Sequence, residues 1–198
     1  RLRALMDIRN KVERTIEISE AHRLEIKEYL DLLDLTRDIE VRSLPAVNDV
    51  AYRTVIAQPG LRYAQANALI QSLMLDKTFS DLSLEERTFV TERILNEIKG
   101  RMMEDIVLLE TKLALPKKEV FVLQFAIGEF DMVVFDPITS SCEIYEIKHS
   151  MEVVPQQYRH LIDEKKCADT EHRFGRIVGK YVLYRGADLD LENGIKYR

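Results

Sequence analysis

Apolar residues recur at helical spacing through the first part of this chain, then gather into short, partly alternating runs typical of strands. Residues 1 to about 44 are charged and punctuated by leucine and isoleucine. Leu24, Ile26, Tyr29, Leu30, Leu33 and Leu35 form an approximate stripe, which predicts one long helix or two shorter ones ended by Pro45. The run NDVAYRTVIAQ predicts a short helix. Pro59-Gly60 is a break, and LRYAQANALIQSLML after it predicts another helix, with Leu61, Ala64, Ala68, Leu69 and Leu73 on its apolar side. Ser83 followed by Glu86 has the spacing of a capping box. It opens a helix to about residue 114 with Phe89, Ile94, Ile98, Met102, Ile106 and Leu109 as its buried stripe. Gly100, a poor interior helix residue, marks a close approach, a bend or a junction.

Beyond Pro116 the pattern changes. Val120 to Ala126 predicts a buried or half-buried strand, and two further strands are expected at about Phe130 to Phe135 and Cys142 to Lys148. Pro137 and the Thr-Ser-Ser run supply the turn between the last two. Pro155 suits a first helical turn, so a helix is expected to about Cys167. Residues 173 to 186, RFGRIVGKYVLYRG, read as a strand with a bulge at Gly179, and Asn193-Gly194 signals a terminal hairpin.

The charges of the central hairpin stand where an apolar core is expected. Side chains in a strand repeat every second residue, so Glu146 and Lys148 share a face. In an antiparallel hairpin the start of one strand lies beside the end of the next, which brings Asp131 toward Glu146. Two carboxylates that close repel, and one pKa rises unless a cation intervenes. Mg²⁺ prefers such oxygen ligands, and a neighbouring lysine can orient water and stabilise negative charge. That is the chemistry of metal-assisted phosphodiester hydrolysis; the alternative is a hairpin whose charges simply face water. Glu104 lies near the apolar boundary of the long helix, as a further carboxylate or as a surface residue with its stem on the core. His22 stands alone, and His160 has no acidic or histidine partner at ligand spacing.

Composition narrows the classes. The chain has 198 residues, 46% hydrophobic and 32% charged, the profile of a globular protein. The formal net charge of −5 gives no global basic field for nucleic acid, so any basic surface is local. Arg173, Arg176, Lys180 and Arg185 with interleaved aromatics offer such a surface, or a charge-decorated edge strand. Gln156, Gln157 and Arg159 face either water or a phosphate backbone. Cys142 and Cys167 form no metal or redox motif, which fits a reducing, cytoplasmic compartment. No stretch approaches the ~18 apolar residues of a membrane span. The chain opens on Arg1, without an initiator methionine or a signal-peptide pattern, and a preceding segment is expected.

In order, these features are a helix glutamate, a strand, a strand aspartate, a turn, a strand ending Glu146-Ile147-Lys148, and a helix. The set resembles the PD-(D/E)xK, or restriction-endonuclease-like, nuclease superfamily, although the proline of that name is absent before Asp131. Residues 83 to 186 resemble the C-terminal nuclease-like domain found behind AAA-type ATPase modules in bacterial and archaeal proteins, and the helical part before it resembles their linker.

The resemblance implies an α/β (α+β) fold: a mixed sheet flanked by helices, preceded by an all-helical segment, with a linker over 1–80 and the nuclease-like domain over 81–198. It implies Mg²⁺ or Mn²⁺ held by Asp131, Glu146 and the Ile147 carbonyl, with Glu104 acting through water. Lys148 would position the attacking water. Gln156 or Gln157 and Arg159 would orient phosphate, with Arg173, Arg176 and Lys180 as a basic rim for DNA. The chain carries no G-x-x-x-x-G-K-[ST] loop, so the ATPase module implied by the resemblance would precede Arg1. The N-terminal helices would support assembly into a homo-oligomer. The rival implication is a non-catalytic nucleic-acid or protein interaction module.

Overall fold

The computed structural model describes residues 18–45 and 50–198. Its framework is a mixed sheet of eight strands in the order β2-β1-β3-β4-β5-β6-β8-β7. The strands are β1 (Thr36–Ser43), β2 (Val50–Ile56), β3 (Glu119–Gln124), β4 (Glu129–Asp136), β5 (Ser141–Ile147), β6 (Arg176–Leu183), β7 (Leu189–Asp190) and β8 (Ile195–Tyr197). The helices are α1 (Glu20–Leu32), α2 (Pro59–Met74), the single turn α3 (Lys77–Ser80), α4 (Leu84–Ala114) and α5 (Glu164–Phe174). Strands β3, β4 and β5 form an antiparallel meander. Parallel pairings flank it: β1 with β3 on one side, and β5 with β6 on the other. Among the described residues no helix is long and apolar enough to cross a membrane.

The central strands are apolar on both faces because both faces are covered. Alternate residues of β3 feed two cores. Phe121 and Leu123 join Phe130, Val133, Cys142, Ile144, Leu161 and Phe174 on the α5 side. Val120 and Val122 join Ile39, Val41, Val55, Met132, Val134, Ile147 and Leu108 of α4 on the other. The α4 helix begins where its capping box predicts: Ser83 Oγ accepts from Glu86 N, and the Glu86 carboxylate accepts from Ser83 N at 2.9 Å. Gly100 sits within this helix with open space around its Cα, so no close backbone approach requires it.

Several expectations are corrected. The helical stripe over residues 1 to 44 survives only as α1 among the described residues; residues 1–17 lie outside them. Thr36–Ser43 and Val50–Ile56, expected as helix, are an antiparallel strand pair that extends the sheet. The segment before residue 80 is therefore not all-helical, and the sheet runs across the expected linker boundary. β1 holds its charged residues by pairing them: Arg42 bonds to Glu40 at 2.6 Å and to Glu119 at 2.7 Å, and its guanidinium lies 4.0 Å from the Phe121 ring centroid. Pro155 opens only a 3-10 turn, Pro155–Gln157. The true helix starts at Asp163, whose carboxylate accepts from Lys166 N at 3.1 Å. Arg173 consequently lies in α5 and not in the strand that follows. The β5–β6 register does shift next to Gly179, but the extra residue is Val178, between the Cys142–Ile177 and Glu143–Gly179 pairs, and the terminal hairpin forms as β7–β8.

Candidate active site

A β-bulge sets the geometry of the site. Phe121 pairs with Val133 and Leu123 with Phe130, so β3 advances two residues while β4 advances three. The extra residue resets the alternation of β4 next to Asp131, the kind of local re-aiming that bulges supply beside functional sites. The β4–β5 ladder ends at Met132 and Tyr145. Beyond that pair, the Ile147 amide donates to the Asp131 carboxylate instead, 2.7 Å from Oδ2. The Lys148 amide turns the other way and donates to the Leu183 carbonyl of β6. The two strands separate at this end, and side chains fill the gap.

Asp131, Glu146 and Lys148 converge in that gap. Lys148 Nζ lies 2.8 Å from Asp131 Oδ2 and 2.6 Å from Glu146 Oε2, bridging the two carboxylates. Glu146 is only 2% exposed, and its Oε1 is buried without a hydrogen-bond partner. Burial, and secondarily the charge of Asp131, push its carboxyl up to about 8, while Lys148 opposes the shift. Burial alone would lower the Lys148 amine, but Asp131 and Glu146 more than offset it and hold the amine above its ordinary value. Lys148 is therefore a firmly protonated ammonium, and its partial exposure makes it the solvent-facing member of the trio.

Glu104 approaches from α4. Its carboxylate bonds to Arg101 at 3.1 Å. Burial first, then the charge of Asp131, raise its pKa, with Arg101 and Lys148 opposing. It thus senses the trio through its charge without a hydrogen bond to it. Glu104 also lines a groove of about 520 Å³ along α4, with Phe89, Arg93, Asn96, Gly100 and Arg101.

The remaining expected residues divide. Gln157 is engaged structurally: its Oε1 accepts from Tyr197 Oη at 3.1 Å and from Val154 N at 3.4 Å. Gln156 and Arg159 are exposed, as are Arg173 and Arg176. Lys180 does not contribute to a basic rim. β6 is an internal strand, so its Nζ turns inward and donates to the Leu161 carbonyl at 2.8 Å and to Cys167 Sγ at 3.3 Å.

Two features escaped the sequence pattern. Asp105 is 4% exposed and joins Arg62 of α2 at 2.5 Å and Arg53 of β2 at 3.3 Å. With Arg101, Gln124 and Glu129 these residues line a cleft of about 420 Å³. Lys166 of α5 is buried and meets His160 across the preceding loop. The only sequence signal for the first was that Asp105 directly follows Glu104. The second had none, because its partners lie on a turn and a helix whose boundaries the pattern misplaced.

No family model matches this chain, and neither a curated protein nor a solved structure matches it. Among the described residues, no group of three or more histidine, cysteine, aspartate or glutamate side chains is arranged to hold a metal ion. The donor chemistry nevertheless suits a hard cation. Two carboxylates already share a positive charge, and Glu146 Oε1 is a buried acceptor with nothing to accept from. The ammonium of Lys148 occupies the space between the carboxylates, so a metal ion would enter only as Lys148 swings toward solvent.

Proposed function

We propose that this domain hydrolyses phosphodiester bonds of DNA with a divalent metal ion, in the manner of the PD-(D/E)xK nucleases it resembles. The observation that carries the reading is the cation shared by Asp131 and Glu146 at the splayed end of β4 and β5, with a Glu146 oxygen left unpartnered. Asp131, Glu146 and the Ile147 carbonyl would hold Mg²⁺ or Mn²⁺, and Glu104 would order its water shell. The ion would supply Lewis-acid charge to the phosphate and acidify a bound water. Lys148, being firmly protonated, is a donor and not a base. Displaced from between the carboxylates, it hydrogen-bonds the attacking water and the phosphate oxygen on which charge develops. The water oxygen would bond to phosphorus as the water's proton passes to bulk solvent, the ester P–O bond would break, and the departing alkoxide would take a proton from solvent. Glu146 Oε1, unpartnered in the described state, would gain a partner if the ion is held there.

A second reading has its own observation. In the described state Lys148 bridges the two carboxylates, which suits a domain that retains the constellation as structure and serves an AAA-type ATPase module as a DNA or protein platform. The two readings separate on duplex and single-stranded DNA incubated with Mn²⁺ or Mg²⁺. Hydrolysis predicts nicks or shortened strands for the wild type and a loss of about 10²-fold or more for D131N. Intact DNA from wild-type protein that binds it would favour the platform.

A further inference from the structure

Lys166 is a buried lysine with no counter-ion among the described residues. It is 8% exposed, and among the described residues no carboxylate lies within ion-pair distance of its amine. Its Nζ meets His160 Nδ1 at 2.5 Å and faces the Phe125 ring, 5.3 Å from the centroid. Buried lysines are ordinarily paired with a charge of opposite sign, because an ammonium without one loses its hydration uncompensated.

The arrangement around it is also short of acceptors. On its other ring nitrogen, Nε2, His160 meets Arg159 Nε at 3.3 Å. A neutral imidazole has a single acceptor nitrogen. It can satisfy Lys166 or Arg159, not both. Three of the charges acting on His160 are cationic (Lys166, Arg159 and Lys148), and Asp131 is the carboxylate opposing them. This positive excess stands in a chain of formal net charge −5. The backbone makes room for it. Gly128 has φ of +79°, and a Cβ there would lie 2.7 Å from His160 Cε1 and 3.1 Å from Lys166 Nζ, so glycine is required by both conformation and space. Gly128 lies three residues before Asp131, on the exposed turn that leads into β4.

We propose that Lys166, His160 and Arg159 form a phosphate-binding subsite beside the Asp131–Glu146–Lys148 trio. A phosphate oxyanion supplies the acceptors that the imidazole cannot: one oxygen to Lys166, another to Arg159, and the balancing negative charge. That the phosphate belongs to the nucleic-acid strand, next to the bond under attack, rests on the hydrolase reading. The pocket's affinity for phosphate does not.

The test follows the His160 ring by proton–carbon NMR while inorganic phosphate is added to the intact chain. Of the four histidines in the sequence, His160 alone should shift saturably. K166M should weaken that response at least about tenfold, as loss of one charge-assisted hydrogen bond does. R159A, at an exposed position, should weaken it about threefold. K166M replaces an unpaired buried charge by an apolar stem of similar length, so its thermal midpoint should hold or rise. A lower midpoint would mean that the ammonium serves folding and would overturn the subsite. No saturable shift in the wild type, or an equal shift in wild type and R159A, would overturn it as well.

D131N should keep the phosphate response. A D131N protein that loses metal binding yet still binds phosphate isolates the subsite from the metal site. Wild-type protein that binds phosphate but no metal would sink the hydrolase reading alone. Competition by short duplexes identifies the source. Displacement only by a 5′-phosphorylated duplex assigns a strand end, and equal displacement by an unphosphorylated one assigns an internal phosphate. Displacement by neither would refute a substrate role.

Discussion

Lys148→Met is expected to destabilise the metal-free protein and abolish cleavage together. Removing the ammonium leaves Asp131 and Glu146 facing each other across a dry gap, with the Glu146 carboxylate 2% exposed. Breaking one side of such a pair typically costs about 3 kcal/mol, toward the low end here because Glu146 can take a proton. The loss should be readable as a lower urea midpoint at unchanged slope. Mn²⁺ or Mg²⁺ should then raise the variant's thermal midpoint more than the wild type's, because the ion no longer competes with an ammonium for the same oxygens. Cleavage should fall about 10²- to 10³-fold despite tighter metal binding, since the donor to the developing phosphate charge is gone. A variant as stable as wild type and indifferent to metal would show that Lys148 does not hold these carboxylates together.

The second large effect concerns pH. The Glu146 carboxyl rises from 4.5 toward about 8, mainly through burial and then through the charge of Asp131. A carboxyl that ionises less readily in the folded state binds an extra proton there between the two pKa values. Stability therefore falls as pH rises through that window. Glu146→Gln mimics the protonated form at every pH and removes the dependence. Between about pH 5 and pH 8.5 the stability difference should move in the variant's favour by on the order of 2 kcal/mol, less than the full shift because Lys148 shares the charge. Denaturant titrations across that range measure it. Parallel pH profiles for the two proteins would place the burden of the dry gap elsewhere. On the proposed reading, the same substitution should also weaken binding of Mn²⁺ or Mg²⁺.

The parts of this structure that were legible in the sequence are those where local chemistry and tertiary context agree. The Ser83–Glu86 box marks the start of α4 because the cap is made by residues three apart. Strands β3 to β5 read clearly because both of their faces are buried, which leaves short apolar runs between turn residues. β1 was illegible for the opposite reason. Only Ile39 and Val41 are buried in it, and the long-range partner of Arg42, Glu119, is adjacent only once β3 pairs with β1. β2 depends on β1 for its pairing and went with it.

The site itself was half legible. The strand period places Glu146 and Lys148 on one face, and hairpin geometry brings Asp131 toward them. The bulge that re-aims Asp131 is a register property of two strands and leaves no mark in either alone. The position of Lys148 between the two carboxylates depends on that same splaying of β4 from β5. Lys180 misled because a lysine among basic residues read as surface, and only the sheet order makes its strand internal and turns it toward Leu161 and Cys167.

The most direct measurement is Mn²⁺ binding by electron paramagnetic resonance on the wild type and on the D131N/E146Q double variant at matched concentration. A saturable site in the wild type that disappears in the double variant is the predicted result. Equal binding by the two proteins, or none by the wild type at millimolar Mn²⁺, would contradict a cation site built from these carboxylates.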